Sequence, residues 1–218
     1  MPGFPIYRDA QEKRDQEVRN AFIQFLAVLD HIEEWEDGVS RVTPSLVKEL
    51  QRLAINQIYT CAGTFRDGPV QIAGVKHQPP PHTEVNIFVD EMCRYVNENW
   101  GKPPIHLAAY LMWRLNWIHP FFGGNGRTSR AISYLVLCAR LGFRLPGEET
   151  IPDQIVANRD PYYAALRAAD EAWDNGILDL AAMEALMAEL LARQLMAIHD
   201  RATGEAPQGL NDTRGISG

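Results

Sequence analysis

HPFFGGNGRTSR, residues His119 to Arg130, is the stretch that most strongly determines which fold we predict for this chain. A histidine opens it, glycines flank a single asparagine, and Arg127 and Arg130 stand three residues apart at its end. Glycine permits the sharp turns that point several backbone N–H groups at one place, and such a nest binds anions. A helix beginning near Arg127 would add its unpaired N–H groups and its positive dipole end. The stretch therefore predicts a phosphate-binding turn, with both arginines on one helix face and His119 beside them as a candidate base.

Helical periodicity extends outward from this stretch in both directions. Apolar residues recur at helical spacing, and Pro, Gly and Asn separate the periodic segments. The pattern predicts helices at about residues 9–35, 44–58, 83–100, 104–118, 127–141, 160–175 and 179–199. The predicted fold class is all-α, a bundle of about eight helices. An apolar strip on the first or last helix fits either core packing or a homodimer, and periodicity alone does not separate the two.

Residues 67–81 interrupt the helical rhythm. A turn signal at 67–69 precedes Val70 and Ile72, which alternate as in a strand, and Gly74 permits a second turn. This predicts a short β-hairpin flap, whose exposed edge can pair with an extended segment of a target protein. An ordinary surface hairpin explains the same pattern. The predicted target-docking flap comprises Val70, Gln71, Ile72, Ala73 and Gly74.

Composition narrows the classes of function. The net charge is -7, which disfavours nucleic-acid binding because that requires a basic surface. The three cysteines lack paired metal-ligand spacing and predict reduced, buried thiols. No apolar run is long enough to span a bilayer, and the charged N-terminus is unlike a signal peptide. We therefore expect a cytoplasmic protein that binds neither nucleic acid nor membrane.

The stretch from His119 to Arg130 also resembles the signature of the Fic (Fic/Doc) family. That signature is His-Pro-Phe, one free position, an acidic residue, then Gly-Asn-Gly-Arg and a final Arg. Each signature position matches except the acid, which is Gly123 here. Upstream residues resemble the helix, flap and proline-rich turn of Fic cores, namely Ile58, Tyr59, Ala62, Gly63, Phe65, Arg66, Val70, Gln71, Ile72 and Pro79 to Pro81.

The resemblance implies a Fic-type helical bundle and a division of the chain. We expect the Fic core domain at residues 43–175, preceded by an N-terminal arm and helix at 1–42. A C-terminal helix is expected at 176–200. The last residues, 201–218, are rich in Gly, Asn, Thr and Pro and predict a disordered tail.

The function implied by the resemblance is protein adenylylation. His119 would be the general base that takes a proton from a target hydroxyl, which then attacks the α-phosphate of a nucleotide. The reaction would move a nucleoside monophosphate, AMP from ATP, to a Ser, Thr or Tyr of a protein substrate. The predicted nucleotide- and phosphate-binding residues are Gly124, Asn125, Gly126, Arg127 and Arg130.

Plainer interpretations of these residues remain open at this point. A histidine at a helix end is often only a capping or solvated residue. The Gly-Asn-Gly sequence also suits a simple turn into a helix, and the arginines suit surface ion pairs with Glu148 or Glu149. Phe121 is better interpreted as a core anchor of the loop than as a substrate contact.

Gly123 stands at the signature position where an acidic residue would bind the metal. In the family the acid at this position binds the Mg²⁺ that bridges the nucleotide phosphates, and glycine offers no side-chain ligand. The metal is then held by phosphates alone, or the enzyme uses another phosphate-ester donor or removes AMP. The remaining alternative is a catalytically weakened nucleotide- or phosphate-binding regulatory module.

Regulation is the last expectation. Many Fic proteins carry an inhibitory helix with Ser or Thr, three residues, Glu, and then Gly or Asn. Ser45 and Glu49 have that spacing, but Leu50 follows and the segment belongs to a core helix. We therefore expect either a separate inhibitory, antitoxin-like partner protein or control of a different kind.

Overall fold

The computed structural model describes residues 4–35, 41–72, 74, 77–147 and 149–203. These residues form eight α-helices and a 3₁₀ helix at His82–Glu84. The α-helices are α1 (Ala10–Glu34), α2 (Pro44–Ile55), α3 (Val85–Glu98), α4 (Pro104–Ile118), α5 (Asn125–Leu141), α6 (Ile151–Ala157), α7 (Asp160–Asp174) and α8 (Ala181–Thr203). The predicted all-α class is confirmed for this part of the chain.

Helices α4 and α5 form the centre of the bundle. Every residue from Leu107 to Leu115 is buried, as expected of a helix that other helices surround. Helix α4 starts at Pro104, where the missing N–H costs no hydrogen bond, and it stops before Pro120, which cannot continue it. Helices α3, α5, α7 and α8 contact α4, while α1 and α2 pack on α5. The motif His119 to Arg130 therefore joins the two central helices.

Helix α1 buries a polar face. Asn20 and Gln24 are buried together with Val28 and Ile32. The Asn20 side-chain amide donates to the carbonyl of Asn56 at 2.8 Å, and that of Gln24 donates to Leu50 at 2.8 Å. Of the apolar residues of α1, Phe25 and Leu29 pack against the core, whereas Val18, Phe22, Ile23 and Leu26 are exposed. The choice that periodicity left open is thus resolved against core packing for these four residues.

The predicted β-hairpin flap is wrong for the residues that the structure describes. Val70, Gln71 and Ile72 adopt no strand, and Ala73 lies outside the described residues. Within the described ranges one isolated β-bridge occurs, between Pro5 and Tyr59. Two alternating apolar residues do not form a strand without a partner to complete a ladder. We refer to residues 66–81 as the flap segment.

Several helix boundaries also differ from the predictions, and one helix was missed. Helix α5 begins at Asn125, two residues before Arg127, and the third predicted helix begins as the 3₁₀ turn at His82–Glu84. Helix α6 was missed because its 7 residues are too few for a periodic pattern. The Thr150 and Asp153 capping box announces it, and Thr150 takes the N-cap position. Residues 204–218, most of the predicted tail, lie outside the described residues.

Candidate active site

His119 ends helix α4 in an unusual backbone conformation. Its φ of 49° and ψ of 57° are left-handed, which costs a non-glycine residue about 1–3 kcal/mol. The backbone N–H of His119 still donates to Leu115 at 2.9 Å, so the strained residue closes the last helical turn. The ring Nδ1 atom is buried without a hydrogen-bond partner. Nδ1 is thereby withdrawn from solvent.

The imidazole of His119 is held neutral. Burial is the main cause that lowers its pKa, to about 4. The positive charge of Arg66 and the neighbouring His77 act in the same direction, whereas the backbone of Asn116 opposes them. At neutral pH the ring is therefore free to accept a proton, which is the state that a general base requires.

The turn after His119, residues 119–124, is fastened by side chains on both sides. We call it the motif loop. Asn125 accepts from the N–H of Phe121 at 3.0 Å and donates to its carbonyl at 2.8 Å. Phe121 is fully buried, with its ring centroid 5.2 Å from that of Phe65. The side chain of Asn125 thus shapes the loop, while Phe121 is the core anchor that the sequence suggested.

A buried glutamine connects the motif loop to helix α2. Gln51 donates to the carbonyl of Gly123 at 3.0 Å and accepts from the N–H of Gly63 at 2.6 Å. Its side chain is fully buried. An amide with both ends satisfied by backbone fixes the position of the loop relative to α2. Sequence reasoning missed Gln51, although a glutamine at a core position of α2 was the available signal.

The two glycines at 123 and 124 have different roles. Gly124 has φ of 81°, and a Cβ there would lie 2.8 Å from a methyl carbon of Ile55. A side chain at this position is excluded by both the backbone and the packing. At Gly123 a Cβ would meet no atom within 4 Å, and its φ is not positive. Neither steric crowding nor backbone strain therefore explains the missing acid at position 123.

The first turn of α5 presents unpaired N–H groups. The first N–H to bond within the helix is that of Thr128, which donates to Gly124 at 2.9 Å. The N–H groups of residues 125–127 therefore lack an intrahelical acceptor, as at any helix N-terminus. Gly126 allows the Arg130 guanidinium to lie close, since a Cβ there would be 3.3 Å from Nη1 of Arg130. The predicted anion nest and the second arginine are thus brought together.

Arg127 is paired with an acid from the first helix. Its Nη2 lies 3.5 Å from Oε1 of Glu17, and both side chains are partly exposed. Burial lowers the pKa of the guanidinium, and Glu17 opposes this shift. The surface partner suggested by sequence was Glu148 or Glu149; the observed one is Glu17, while Glu148 lies outside the described residues. Glu17 was missed because it is more than a hundred positions from Arg127 in the sequence.

A cleft of about 890 Å³ opens at this end of α5. Gly124, Gly126, Arg127 and Arg130 line one side of it. The remaining lining comes from α1, α6, α7 and the middle of α5, and it includes Phe25, Val28, Tyr134, Pro152, Val156 and Tyr163. In that remainder the apolar and aromatic side chains lie beside the charged residues Arg14, Glu17, Asp153 and Arg159. A cleft with a cationic end and aromatic walls suits a ligand with an anionic group and an aromatic part. His119 is not among the lining residues; it adjoins the cleft through the motif loop.

Helix α7 supports the cationic end. The amide of Asn116 in α4 donates to Ser129 of α5 and to Tyr162 of α7, both at 2.8 Å. Ser129 in turn donates to the carbonyl of Gly126 at 3.1 Å. This network ties the first turn of α5 to two neighbouring helices, so the arginines project from a fixed base.

The expected metal ligand is not replaced by a cluster nearby. No group of three or more His, Cys, Asp or Glu residues in the described part of the chain has the arrangement of a metal site. Gly123 contributes only its carbonyl, and that oxygen accepts from Gln51. The residues present at this position therefore do not fit a carboxylate-held Mg²⁺.

Among the described residues, no helix combines the length and the apolar character that crossing a membrane requires.

Sequence comparisons point to one family. The model of the Fic/DOC family matches residues 41–137. Protein adenylyltransferase Fic of Drosophila persimilis is 32% identical over 133 residues, which cover 60% of this chain and 24% of that protein. Its counterpart in Drosophila melanogaster is 31% identical over 133 residues, 60% of this chain and 25% of that protein. The chain thus spans about a quarter of the length of these curated relatives.

Solved structures share the fold. A Fic domain containing signaling protein from Bacteroides thetaiotaomicron aligns with a TM-score of 0.73 at 22% identity, over 93% of this chain and 78% of that one. Fic-1 from C. elegans aligns with a TM-score of 0.67 at 23% identity, over 90% of this chain and 54% of that one. The comparisons lead to one conclusion: residues 41–137 match the Fic/DOC family, and the chain shares its helical architecture with Fic proteins of known structure.

Proposed function

We propose that this protein is a protein adenylyltransferase that moves AMP from ATP to a Ser, Thr or Tyr hydroxyl of a protein substrate. The observation that carries the proposal is the cleft of about 890 Å³ at the start of α5, where unpaired N–H groups and two arginines lie at one end and aromatic and apolar side chains line part of the rest. A nucleotide has the same division into an anionic and an aromatic part. The curated relatives named as adenylyltransferases support the reaction type.

In this proposal the arginines and the helix end bind the donor phosphates. Arg127 and Arg130 offer planar forks that match phosphate oxygens, and the α5 N-terminus adds N–H donors. Phosphate would displace Glu17 from Arg127, because the present contact is partly exposed and of low strength. Phosphoryl transfer depends mainly on positioning and charge neutralisation, which these groups supply.

His119 then acts as the base. Its Nε2 takes the proton of the target hydroxyl while the hydroxyl oxygen forms a bond to the α-phosphorus. The bond between the α-phosphorus and the bridging oxygen breaks, and pyrophosphate leaves. The low pKa of about 4 keeps the imidazole unprotonated before the step. The residues Val70 to Gly74 would dock the target segment, as the sequence suggested, by main-chain hydrogen bonds.

The decisive experiment follows the label on ATP. The protein is incubated with candidate protein substrates and ATP labelled at the α-phosphate or, separately, at the γ-phosphate. We expect retention of the α-label only, with His119→Ala remaining folded and losing about 10²–10⁴-fold in rate. Retention of the γ-label instead would show a phosphotransferase. Full activity of His119→Ala would remove the histidine from its proposed role.

A regulatory nucleotide-binding module is the second candidate, and Gly123 is the observation that favours it. The site lacks the acid that the family signature carries, while the cleft is fully formed. Gly123→Asp introduces a carboxylate into open space, so the variant should fold normally. An Mg²⁺ titration of both proteins separates the candidates. Binding of labelled ATP without transfer, together with transfer by Gly123→Asp in Mg²⁺, would indicate the module.

Four further predictions belong to the proposal. The bounds of the core domain, residues 43–175, and a cytoplasmic location stay predictions. The exposed strip Val18, Phe22, Ile23 and Leu26 on α1 is consistent with a homodimer. An inhibitory partner protein also stays a prediction, and co-purification with tagged protein followed by a transfer assay checks it.

A further inference from the structure

Arg66 is a buried cation whose guanidinium bonds only to backbone oxygens among its described contacts. The residue is 3% exposed. Its Nε donates to the carbonyl of His119 at 2.8 Å, and Nη2 donates to Ile118 at 3.3 Å and to Pro80 at 2.5 Å. Nη1 donates to Gly68 at 3.2 Å. Burial lowers the pKa of this guanidinium, yet an arginine keeps its charge in proteins.

The four carbonyls belong to two different parts of the molecule. Ile118 and His119 are at the C-terminal end of α4, where carbonyls have no intrahelical donor. Gly68 and Pro80 stand at the two ends of the flap segment. A single side chain thus holds the end of the central helix and both ends of the flap segment at one point. A cation is also favourable beside the negative end of the α4 dipole.

Neighbouring groups reinforce the same junction. The backbone N–H of Arg66 donates to Pro120 at 2.8 Å. Nε2 of His77 lies 2.8 Å from the carbonyl of Trp117, to which it must donate because a carbonyl only accepts. Successive carbonyls from Trp117 to Pro120 are therefore satisfied by the flap segment. The charges that face His119 are those of Arg66 and His77, which lower its pKa, and the backbone of Asn116 opposes them.

We propose that Arg66 is a positioning residue of the transfer reaction, which fixes the His119 imidazole relative to a target segment docked on the flap segment. This inference rests on the proposed function, in which His119 is the base and the flap segment binds the target. Arg66 touches neither the donor nor the target. It acts through the carbonyl of His119 on one side and through Gly68 and Pro80 on the other.

Two substitutions separate geometry from charge. Arg66→Lys keeps the charge, but one ammonium does not reach four carbonyls, whereas Arg66→Gln removes the charge as well. Arg94→Gln removes an exposed arginine of α3 and is the control for net charge. The measurements are kcat, KM for the target, ATP affinity by calorimetry, and the NMR titration of the His119 ring.

We expect both Arg66 variants to lose about 10²-fold in kcat, since a displacement of about 1 Å in a reacting group has an effect of this size. KM for the target should rise, and ATP affinity should not change because the cleft is untouched. In Arg66→Gln alone, the His119 titration and the acid limb of kcat/KM should move to higher pH. If Arg66 only stabilised the fold, the pKa of His119 would not rise in Arg66→Gln while staying constant in Arg66→Lys.

Wild-type kcat and KM in Arg66→Lys, or an unchanged His119 titration in Arg66→Gln, overturns the proposal. If neither variant folds, the wild-type protein decides: slow exchange of the Arg66 Nε–H supports the junction, and free exchange overturns it. Without transfer of any label, a shifted His119 titration in Arg66→Gln still supports the junction. That result would overturn the adenylyltransferase proposal instead.

Discussion

The motif loop and the flap segment are held in opposite ways. Contacts along the whole motif loop fix it, from the Asn125 bonds at Phe121 to the Gln51 bond at Gly123. In the flap segment the described contacts lie near its ends. The Arg66 guanidinium donates to the carbonyls of Gly68 and Pro80, and His77 donates to the carbonyl of Trp117 in α4. Between those ends, Val70 and Gln71 adopt neither helix nor strand.

This difference matches what each region is proposed to do. A base and a phosphate-binding helix end must stand within a fraction of an ångström of their working positions, because rate depends steeply on geometry. A docking segment gains from main-chain groups that are left free to pair with a target. Four ways to break or sharpen the comparison follow, from the largest expected effect to the smallest.

Loss of the cationic end of the cleft should have the largest effect. We expect Arg127→Gln and Arg130→Gln each to reduce kcat/KM for transfer roughly 10³-fold, because these two guanidiniums belong to the first turns of α5, where the donor phosphates are proposed to bind. Steady-state transfer of α-labelled ATP measures the loss, and circular dichroism checks the fold. The control is Arg94→Gln, which removes an exposed arginine of α3. Near-normal rates in both variants would place the phosphates elsewhere.

Substitution by alanine should lower the stability of the protein at one of the two adjacent glycines in the motif loop and leave it nearly unchanged at the other. Gly124→Ala forces a Cβ to within 2.8 Å of Ile55 at φ of 81°, so it should lower the free energy of unfolding by about 1–3 kcal/mol. Gly123→Ala enters open space and should change stability by less than about 0.5 kcal/mol. Urea unfolding compares the two. Equal stabilities would show that the loop is not fixed in the way described.

The flap segment should affect target binding alone. Gln71→Pro removes a main-chain donor and should raise KM for the target by about 3–10-fold, the equivalent of roughly one hydrogen bond. Gln71→Ala keeps the N–H and should raise KM less. ATP affinity, measured by calorimetry, should stay constant in both. A fall in ATP affinity, or an equal rise of KM in the two variants, would argue against docking by main-chain pairing.

The contribution of His119 makes the free energy of unfolding depend on pH, and this dependence should be smallest near neutrality. The folded pKa of His119, about 4, lies below the ordinary histidine pKa of 6.5, so the unfolded chain binds the proton more tightly. Its contribution to stability is therefore complete above about pH 6.5 and is lost as pH falls toward about 4. His119→Gln should lack this dependence. Urea unfolding at several pH values compares the proteins, and identical profiles would contradict a buried neutral ring.

Much of the central fold was predictable, and local rules explain why. Pro104 and Pro120 mark the limits of α4, and the Gly-Asn-Gly sequence spans the start of α5, which lies two residues before the predicted start. These signals act within one helical turn, so a single sequence displays them. Helix α6 was not predicted because its seven residues are too few for a periodic pattern, although the capping box of Thr150 and Asp153 marks its start.

The predictions that failed depend on contacts between distant residues. The alternation of Val70 and Ile72 indicated a hairpin, but no partner strand forms there in the described residues. Periodicity left open whether the apolar residues of α1 pack in the core; Phe25 and Leu29 do, whereas Val18, Phe22 and Leu26 are exposed. Asn20 and Gln24 are buried because the carbonyls of Leu50 and Asn56 accept from them. A polar side chain becomes a core residue only when packing brings an acceptor to it.

The sequence by itself determined the spacing of His119, Arg127 and Arg130, the helical class of the chain, and the absence of a carboxylate at Gly123. These follow from residue identities and from periodicities of a few residues. Only the tertiary structure decided that Glu17 faces Arg127, that Gln51 fastens Gly123, and that Arg66 joins α4 to the flap segment. The physical reason is that their partners are backbone oxygens and distant side chains, whose positions exist only once the helices have packed.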